Sequence, residues 1–415
     1  MNINLFIAKT LWRKGTECKK GYASSNTVIA QISVVISFLV IISSIVISDG
    51  FRYEIKSKAS GFSGDILLKS PGVEYNSNIY PISDNFSFKN EILSIPDVKS
   101  INSYAYRSGM IKYNDQIQGV VIKGVNARYD WNFFKSILSE GSLPDFNDTI
   151  VGNEVLLSHR LAEMMGLKVG DEMPVYFIDK SVRVSKFLIK GIFDAQLEQI
   201  DRTLIISDIR EVQRLNNWNP AQVSGIEIQL RPGADRAAVA NSIQTIVLEK
   251  SKEIDSQMDV TTVDDLFPHL FDWLRLLDFN VMIVLGLMML VAGFNMLSGL
   301  LILLFEKISV IGLLKALGMR NMNIHGIFMY KGFRIVLSGM IIGNIIALAV
   351  ALLQKYFHII ELDPENYFVK AVPIHFDFVK IATVDIISVL VIMTLMLLPS
   401  LFVSRVSPDR IIRVK

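Results

Sequence analysis

The chain has 415 residues, of which 51% are apolar and 20% charged, and its mean hydropathy is +0.40. That is too apolar for an ordinary soluble protein of this size and reads as a membrane protein. The charge is nearly balanced, 42 Lys and Arg against 40 Asp and Glu for a net of +2, which excludes the basic face of a nucleic-acid binder; one cysteine and five histidines leave no material for a disulfide framework or a thiolate zinc site.

Residues 1–27, with Lys9, Arg13, Lys14, Lys19 and Lys20, read as a cytoplasmic N-terminal segment. Residues 28–48 follow, about 21 residues whose polar side chains are Gln31 and serines, the length a helix needs to cross hydrocarbon. Val and Ile would suit a strand, but strands rarely exceed about eight residues, so length predicts a spanning helix. About fifteen apolar side chains at about 0.4 kcal/mol each favour insertion by on the order of 6 kcal/mol before Gln31 and the serines subtract. Polar and basic residues precede the run and no small-x-small cleavage site follows Ile47-Ser48-Asp49-Gly50, so an uncleaved anchor is expected instead of a signal peptide.

Residues 49–278 are long enough for one large domain or two small ones. Short runs such as Asp65-Ile66-Leu67-Leu68-Lys69, Gly119-Val120-Val121-Ile122-Lys123 and Phe187-Leu188-Ile189-Lys190 read as strands between turn signals at Ser70-Pro71-Gly72 and Arg231-Pro232-Gly233. Helices are expected over Asn153–Met165, where Leu156, Leu157, Leu161, Met164 and Met165 fall at helical spacing, and over Ala234–Ser251. The segment is therefore expected to be an α+β domain. It has no His-Glu-x-x-His, no Gly-x-Ser-x-Gly and no Cys beside a His, and Asp171, Asp194 and Asp201 are read as solvated or turn-capping residues, with no catalytic group and no cofactor.

A second span is expected at 279–305, with Asn280, Asn295 and Ser298 as its notable polar residues. Gly293, Ser298 and Gly299 are small enough to let helices approach closely, either within the chain or across a contact where Asn295 could hydrogen-bond. Residues 306–334 form a loop whose start, Glu306 to Asn321, places Ile308, Ile311, Leu314 and Leu317 at three-residue steps and Gly318 as a stop. A short amphipathic helix there can lie on lipid or dock in a groove of a cytoplasmic partner. Spans at 335–353 and 381–403 flank a short connection, 354–380, and a tail covers 404–415. Asp385 sits about one turn inside Lys380 and is expected to reach the interface in a structural role.

Lys307, Lys315, Arg320, Lys331 and Arg334, with Arg405, Arg410, Arg413 and Lys415, put the loop, the tail and the N-terminal segment inside, and the large domain outside. No Gly-x-x-x-x-Gly-Lys-(Ser/Thr) occurs, so any nucleotide-driven work needs another subunit.

The run Glu306-Lys307-Ile308-Ser309-Val310-Ile311-Gly312-Leu313-Leu314-Lys315-Ala316-Leu317-Gly318 resembles the coupling segment of the FtsX-like, or MacB-type, ABC permeases, whose pattern is roughly Glu-(Lys/Arg)-x-x-x-Ile-Gly-x-Leu-(Lys/Arg)-Ala-x-Gly. Many members carry Glu where this chain has Val310, so the resemblance does not extend to a family ion pair with the ATPase at that position, for which Glu306 or Lys315 would substitute. Phe6-Ile7-Ala8-Lys9, Leu11-Trp12-Arg13, Ser48-Asp49-Gly50-Phe51, Gly61-Phe62-Ser63-Gly64-Asp65-Ile66, Ile150-Val151-Gly152, Val169-Gly170-Asp171 and Val291-Ala292-Gly293-Phe294-Asn295-Met296-Leu297-Ser298 are similar to the lipoprotein-releasing LolC/LolE branch, over nearly the whole chain.

The resemblance implies an α-helical membrane protein with four transmembrane helices and a large α+β periplasmic MacB-like domain between the first and second, in a bacterial inner membrane. It implies a non-enzymatic permease subunit working with a LolD-like ATPase, a second permease copy or paralogue, a lipoprotein substrate and a LolA-like carrier. ATPase coupling would fall to Glu306, Lys307, Ile311, Gly312, Leu313, Lys315, Ala316 and Gly318, and a permease interface to Gly293, Phe294, Asn295 and Ser298. Apolar positions near the outer ends of the first two spans, Ile45, Ile47, Leu274, Leu277 and Phe279, are the expected acyl-chain contacts. MacB-like efflux and FtsX-like control of a cell-wall hydrolase remain as alternatives; the few residues ahead of the first span speak against a MacB-type fusion to an ATPase.

Overall fold

The computed structural model describes residues 23–72, 80–113, 116–146, 152–178, 182–250 and 258–397. The N-terminal basic residues, Cys18, the Phe6 to Arg13 motif, Ile150-Val151, the end of the 381–403 span and the 404–415 tail lie outside the described residues. The chain divides into two compact units, residues 54–272 with 362–370, and residues 1–53, 273–361 and 371–415.

In the second of these, four helices are long and apolar enough to cross a membrane: Ala23–Ser63, which continues past Tyr53 into the other unit, Pro268–Glu306, which begins there, Asn321–Phe357 and Phe378–Leu395. The first three have 41, 39 and 37 residues. At 1.5 Å per residue they are about 55–62 Å long, roughly twice the hydrocarbon thickness. Hydropathy marks only the lipid-matched stretch of each, which is why the helices overrun 28–48, 279–305 and 335–353. The expected 306–334 loop is correspondingly shorter, since the third long helix already begins at Asn321.

Glycines bring the first and third long helices together. A Cβ on Gly339 would stand 2.6 Å from Val34 Cγ1, and one on Gly343 2.7 Å from the Val35 carbonyl. Gln31, the polar residue of the first span, donates to Ser338 Oγ at 3.1 Å. Phe38, Ile41, Ile42 and Ile45 are buried along that seam.

The other unit is built from strands β1 (Ile66–Lys69), β2 (Ile82–Ser83), β3 (Val98–Tyr113), β4 (Gln116–Val125), β5 (Leu138–Gly141), β6 (Glu154–Ser158), β7 (Glu172–Ile178), β8 (Val182–Phe193), β9 (Leu204–Asp208), β10 (Gln222–Val223), β11 (Gly225–Leu230) and β12 (Asp259–Thr262). Ten of these form one sheet in the order β12-β1-β11-β3-β4-β9-β6-β8-β5, with β7 bonded to both β3 and β8. β7 therefore closes β3, β4, β9, β6, β8 and β7 into a ring, with Met110 opposite Tyr176 and Ile111 opposite Val175 at the closing seam. Ile111, Val120, Ile122, Val155, Leu157, Val175, Phe187 and Ile205 are among the residues of its apolar core. The α+β expectation for this segment holds.

The helix expected over Asn153–Met165 is corrected. Its first half is β6, parallel to β8 and antiparallel to β9, and only His159–Met165 is helical, capped by Ser158 at its start and by Gly166 at φ 66° at its end. Val155, Leu156 and Leu157 are wholly buried, and three consecutive apolar residues satisfy helical spacing and a two-faced strand equally. Residues 362–370, expected in a separate short connection, belong to the sheet unit, where Lys370 pairs with Asp194 and the Phe368 carbonyl accepts from Lys58 Nζ at 3.1 Å.

The end of the first long helix is bound into this unit by buried charge. Gly64 takes φ +73° beyond the helix, and Lys123 Nζ donates to the Phe62 carbonyl at 2.5 Å, where a cation also meets the negative end of the helix dipole. The same ammonium lies 2.5 Å from Glu227 Oε1, and Tyr129 OH donates to Glu227 Oε2 at 3.1 Å. Burial pushes Lys123 down and Glu227 up from their usual ranges, and each opposes the other's displacement by its charge. Next to it, Asp65 accepts from Ser60 Oγ, Arg236 Nη2 and the Leu230 amide at 2.7, 2.9 and 2.9 Å.

Candidate functional site

The short helix Ile308–Ala316 follows the second long helix after Lys307. Its end is a Schellman turn: Gly318 has φ +83°, its amide donates to the Lys315 carbonyl at 2.9 Å, and the Met319 amide donates to the Leu314 carbonyl at 3.0 Å. A Cβ-bearing residue at 318 would hold that conformation under strain. The stop signal read from Gly318 is thus a specific backbone device.

Ile311 and Gly312 are buried, and Ile308, Leu314 and Lys315 are half-buried. Ile311 lies against Ile324, Ile327 and Phe328 of the third long helix, around an apolar cavity of about 20 Å³ that Lys307 also lines. Of the expected docking stripe, Ile311 and Leu314 therefore face the chain's own third helix. Leu317 departs from that stripe: it is 76% exposed, as Leu313 is at 62%, and Ala316 is exposed between them. Positions 313, 316 and 317 share one helical face. Glu306 is exposed at its start, and Arg320 and Met322 are exposed beyond its end. The helix offers a surface with an apolar centre and charges of both signs at its edges, held by a buried opposite face.

The expected permease-interface residues separate into two sets. Gly293 is buried inside the chain, where a Cβ would stand 2.2 Å from Leu395 Cδ1 of the fourth long helix, and Gly299 approaches Ala30 of the first. These two glycines serve intrachain packing. Phe294 and Ser298 are exposed and Asn295 is half-buried, on a face that continues through Ile283, Leu287, Leu290, Ile302 and Phe305.

Of the expected acyl-chain contacts, Ile45 and Leu274 are buried inside the chain. Apolar character near a span end suits helix packing as well as lipid, and sequence does not separate the two. Ile47 and Leu277 are half-buried and Phe279 is 60% exposed. Near these positions sequence reasoning missed a set of ion pairs: Arg52 with Asp278, which also accepts from Ser48 Oγ at 3.2 Å, and Lys380 with Asp49. Gly50 is beside them because a Cβ there would lie 2.1 Å from the Pro373 carbonyl oxygen.

Asp385, expected to reach the interface in a structural role, accepts from Asn344 Nδ2 at 2.6 Å. Asn344 is a polar residue inside an apolar run, and that was the signal available for this pair. The three carboxylates given no chemistry are occupied. Asp171 Oδ2 accepts from the Lys168 amide at 2.8 Å, Asp194 pairs with Lys370, and Asp201 Oδ1 accepts from the Ala195 amide at 3.0 Å while burial raises it to about 6.

Residues 27–246 match the MacB-like periplasmic core domain family, and residues 282–408 match the FtsX-like permease C-terminal family. The "Lipoprotein-releasing system transmembrane protein LolC" of Neisseria meningitidis is 22% identical, the alignment covering 95% of each chain. The LolE protein of Haemophilus influenzae is 20% identical over 76% of this chain and 78% of its own. The "Macrolide export ATP-binding/permease protein MacB" of Bdellovibrio bacteriovorus is 21% identical over 78% of this chain and 51% of that protein.

Proposed function

The chain belongs to the MacB-like periplasmic core domain family with an FtsX-like permease C-terminus, and from that premise we propose that it is the permease subunit of a lipoprotein-releasing ABC transporter. The similarity to LolC along 95% of both chains supports this reading over efflux, for which the MacB relative matches only 51% of its length. In the proposed topology the four long helices span the inner membrane, both termini are cytoplasmic and residues 49–278 are periplasmic.

The observation that carries the mechanism is the short helix Ile308–Ala316, fixed on one face by Ile311 and presenting Leu313, Ala316 and Leu317 on the other. A cleft on a separate ATPase subunit would seat that face, with Glu306, Lys307, Lys315 and Gly318 setting its edge charges and its end. ATP-driven closure there would move the long helices and through them the periplasmic domain, which passes an acylated protein to a soluble carrier. Phe294, Asn295 and Ser298 would meet a second permease, and Phe279 with Ile47 and Leu277 would meet acyl chains.

Depleting the protein in its own host and fractionating the membranes tests this. Acylated outer-membrane proteins are expected to accumulate in the inner membrane while other outer-membrane proteins arrive normally. Wild type restores their transfer, and Leu313→Glu with Leu317→Glu accumulates in the membrane but does not. An unchanged lipoprotein distribution on depletion refutes the reading and brings efflux forward.

A further inference from the structure

The pair formed by Asn344 and Asp385 has a hydrogen-bond inventory that does not close with an ionised acid. Asn344 Nδ2 donates to Asp385 Oδ2 at 2.6 Å, but Asn344 Oδ1 and Asp385 Oδ1 are both buried without a hydrogen bond. Ser388, one turn further along the fourth long helix and wholly buried, has an unpartnered Oγ as well. A carboxylate and an amide oxygen only accept, so no rearrangement of these two side chains alone satisfies both orphans. A proton on Asp385 Oδ1 supplies the missing donor: the O–H it creates would be offered to Asn344 Oδ1 while Nδ2 continues to donate to Oδ2. One proton thus turns two unmatched acceptors into a two-bond acid–amide ring.

Among the described residues no cation pairs with Asp385. Among the described residues, what acts on Asp385 is burial and the Asn344 amide. Lys380, the basic residue on the same helix, is committed to Asp49. On the third helix the flanking cations, Arg334 and Lys355, are ten and eleven positions from Asn344, about 15 Å or more along the axis. Seven positions separate Asp385 from Phe378, about 10 Å into a helix apolar enough to span a membrane, where an unpaired anion is costly.

We propose that Asp385 and Asn344 form a proton-binding site within the membrane, in which neutral Asp385 closes an acid–amide clamp between the third and fourth long helices. The inference is independent of what the permease moves. It requires only that these helices lie in lipid.

Infrared difference spectra of the full chain in lipid nanodiscs, wild type minus Asp385→Asn, test it at neutral pH. The expected result is one protonated-carboxyl carbonyl band in the wild type that the variant lacks. A carboxylate band in its place overturns the proposal. Asn offers the same donor and acceptor as the neutral acid, so Asp385→Asn is expected to keep the wild-type thermal midpoint while Asp385→Leu lowers it; an equal loss in both variants also overturns it. Where Asp385→Asn does not accumulate, Asn344→Leu serves as the comparison, with the acid band expected to move to higher frequency and an unmoved spectrum counting against the clamp.

Discussion

Lys123 in the sheet unit has Glu227, the Phe62 carbonyl and Tyr129 around its ammonium, whereas Asp385 in the helical unit has one amide and an oxygen left over. Both sites bury a titratable group, and they balance it differently. In the sheet unit a counter-charge on β11 meets a cation on β4, at the cost of desolvating both. In the helical unit each long helix is mostly apolar. Ion pairs sit at the ends of the apolar runs, as Arg52 with Asp278 and Lys380 with Asp49, while amide and hydroxyl groups make contacts such as Gln31 with Ser338 and Asn344 with Asp385. The same desolvation therefore favours an ion pair in one unit and a neutral pair in the other.

The largest effect comes from breaking the ion pair. Glu227→Ala leaves Lys123 buried and unpaired and is expected to cost about 3–5 kcal/mol, read as a fall in the thermal midpoint of the full chain. Replacing both partners, Lys123→Met with Glu227→Leu, is expected to recover most of that loss. An equal loss in single and double variants would show that the two charges are not coupled.

Ile311→Ala tests apolar burial in the helical unit and is expected to cost about 2–5 kcal/mol, against at most about 0.5 kcal/mol for the exposed Leu313→Ala on the same short helix. Equal costs would put both residues on one surface and dissolve the distinction between the packed and the offered face.

Asp201 sharpens the contrast by pH. Burial raises it to about 6 from 3.8, so the folded protein holds this proton more tightly than the unfolded chain. Its contribution favours folding at low pH, and stability is lost as pH rises from about 4 through about 6. Asp201→Asn removes this dependence, and its stability relative to wild type is expected to improve by about 3 kcal/mol between pH 3 and pH 8. A difference that stays constant over that range would place the carboxyl in water. The smallest effect is at the surface, where Lys186 and Glu172 are both mostly exposed; Lys186→Ala is expected to change stability by at most about 0.5 kcal/mol.

Long apolar runs were legible in the sequence because lipid imposes one length on them: the first three long helices contain the runs 28–48, 279–305 and 335–353, and the fourth covers the described first part of 381–403. Their full extents were not, since hydrogen bonding carries a helix such as Asn321–Phe357 past the apolar stretch. The short helix was legible through its three-residue spacing and Gly318. Which way its apolar residues face was not, because Ile311 and Leu313 have similar hydropathy and only the third helix decides which is covered. Contacts between residues far apart in the chain, such as Lys123 with Glu227 or Asn344 with Asp385, leave no local period to read. β6 failed for a different reason, since its buried run fits two periodicities at once.

The register of β1 sets an order on synthesis. Its last residue, Lys69, pairs with Gly225 and its first, Ile66, with Ile228 on one side and Thr262 on the other, so the first strand to emerge cannot be hydrogen-bonded in its sheet until at least 156 further residues, from 69 to 225, have been made. At about 5–20 residues per second that is roughly ten to thirty seconds during which an apolar strand tethered to a finished helix has no partner. Completion of the middle of the chain then limits when this sheet can form, however early its first strand is made.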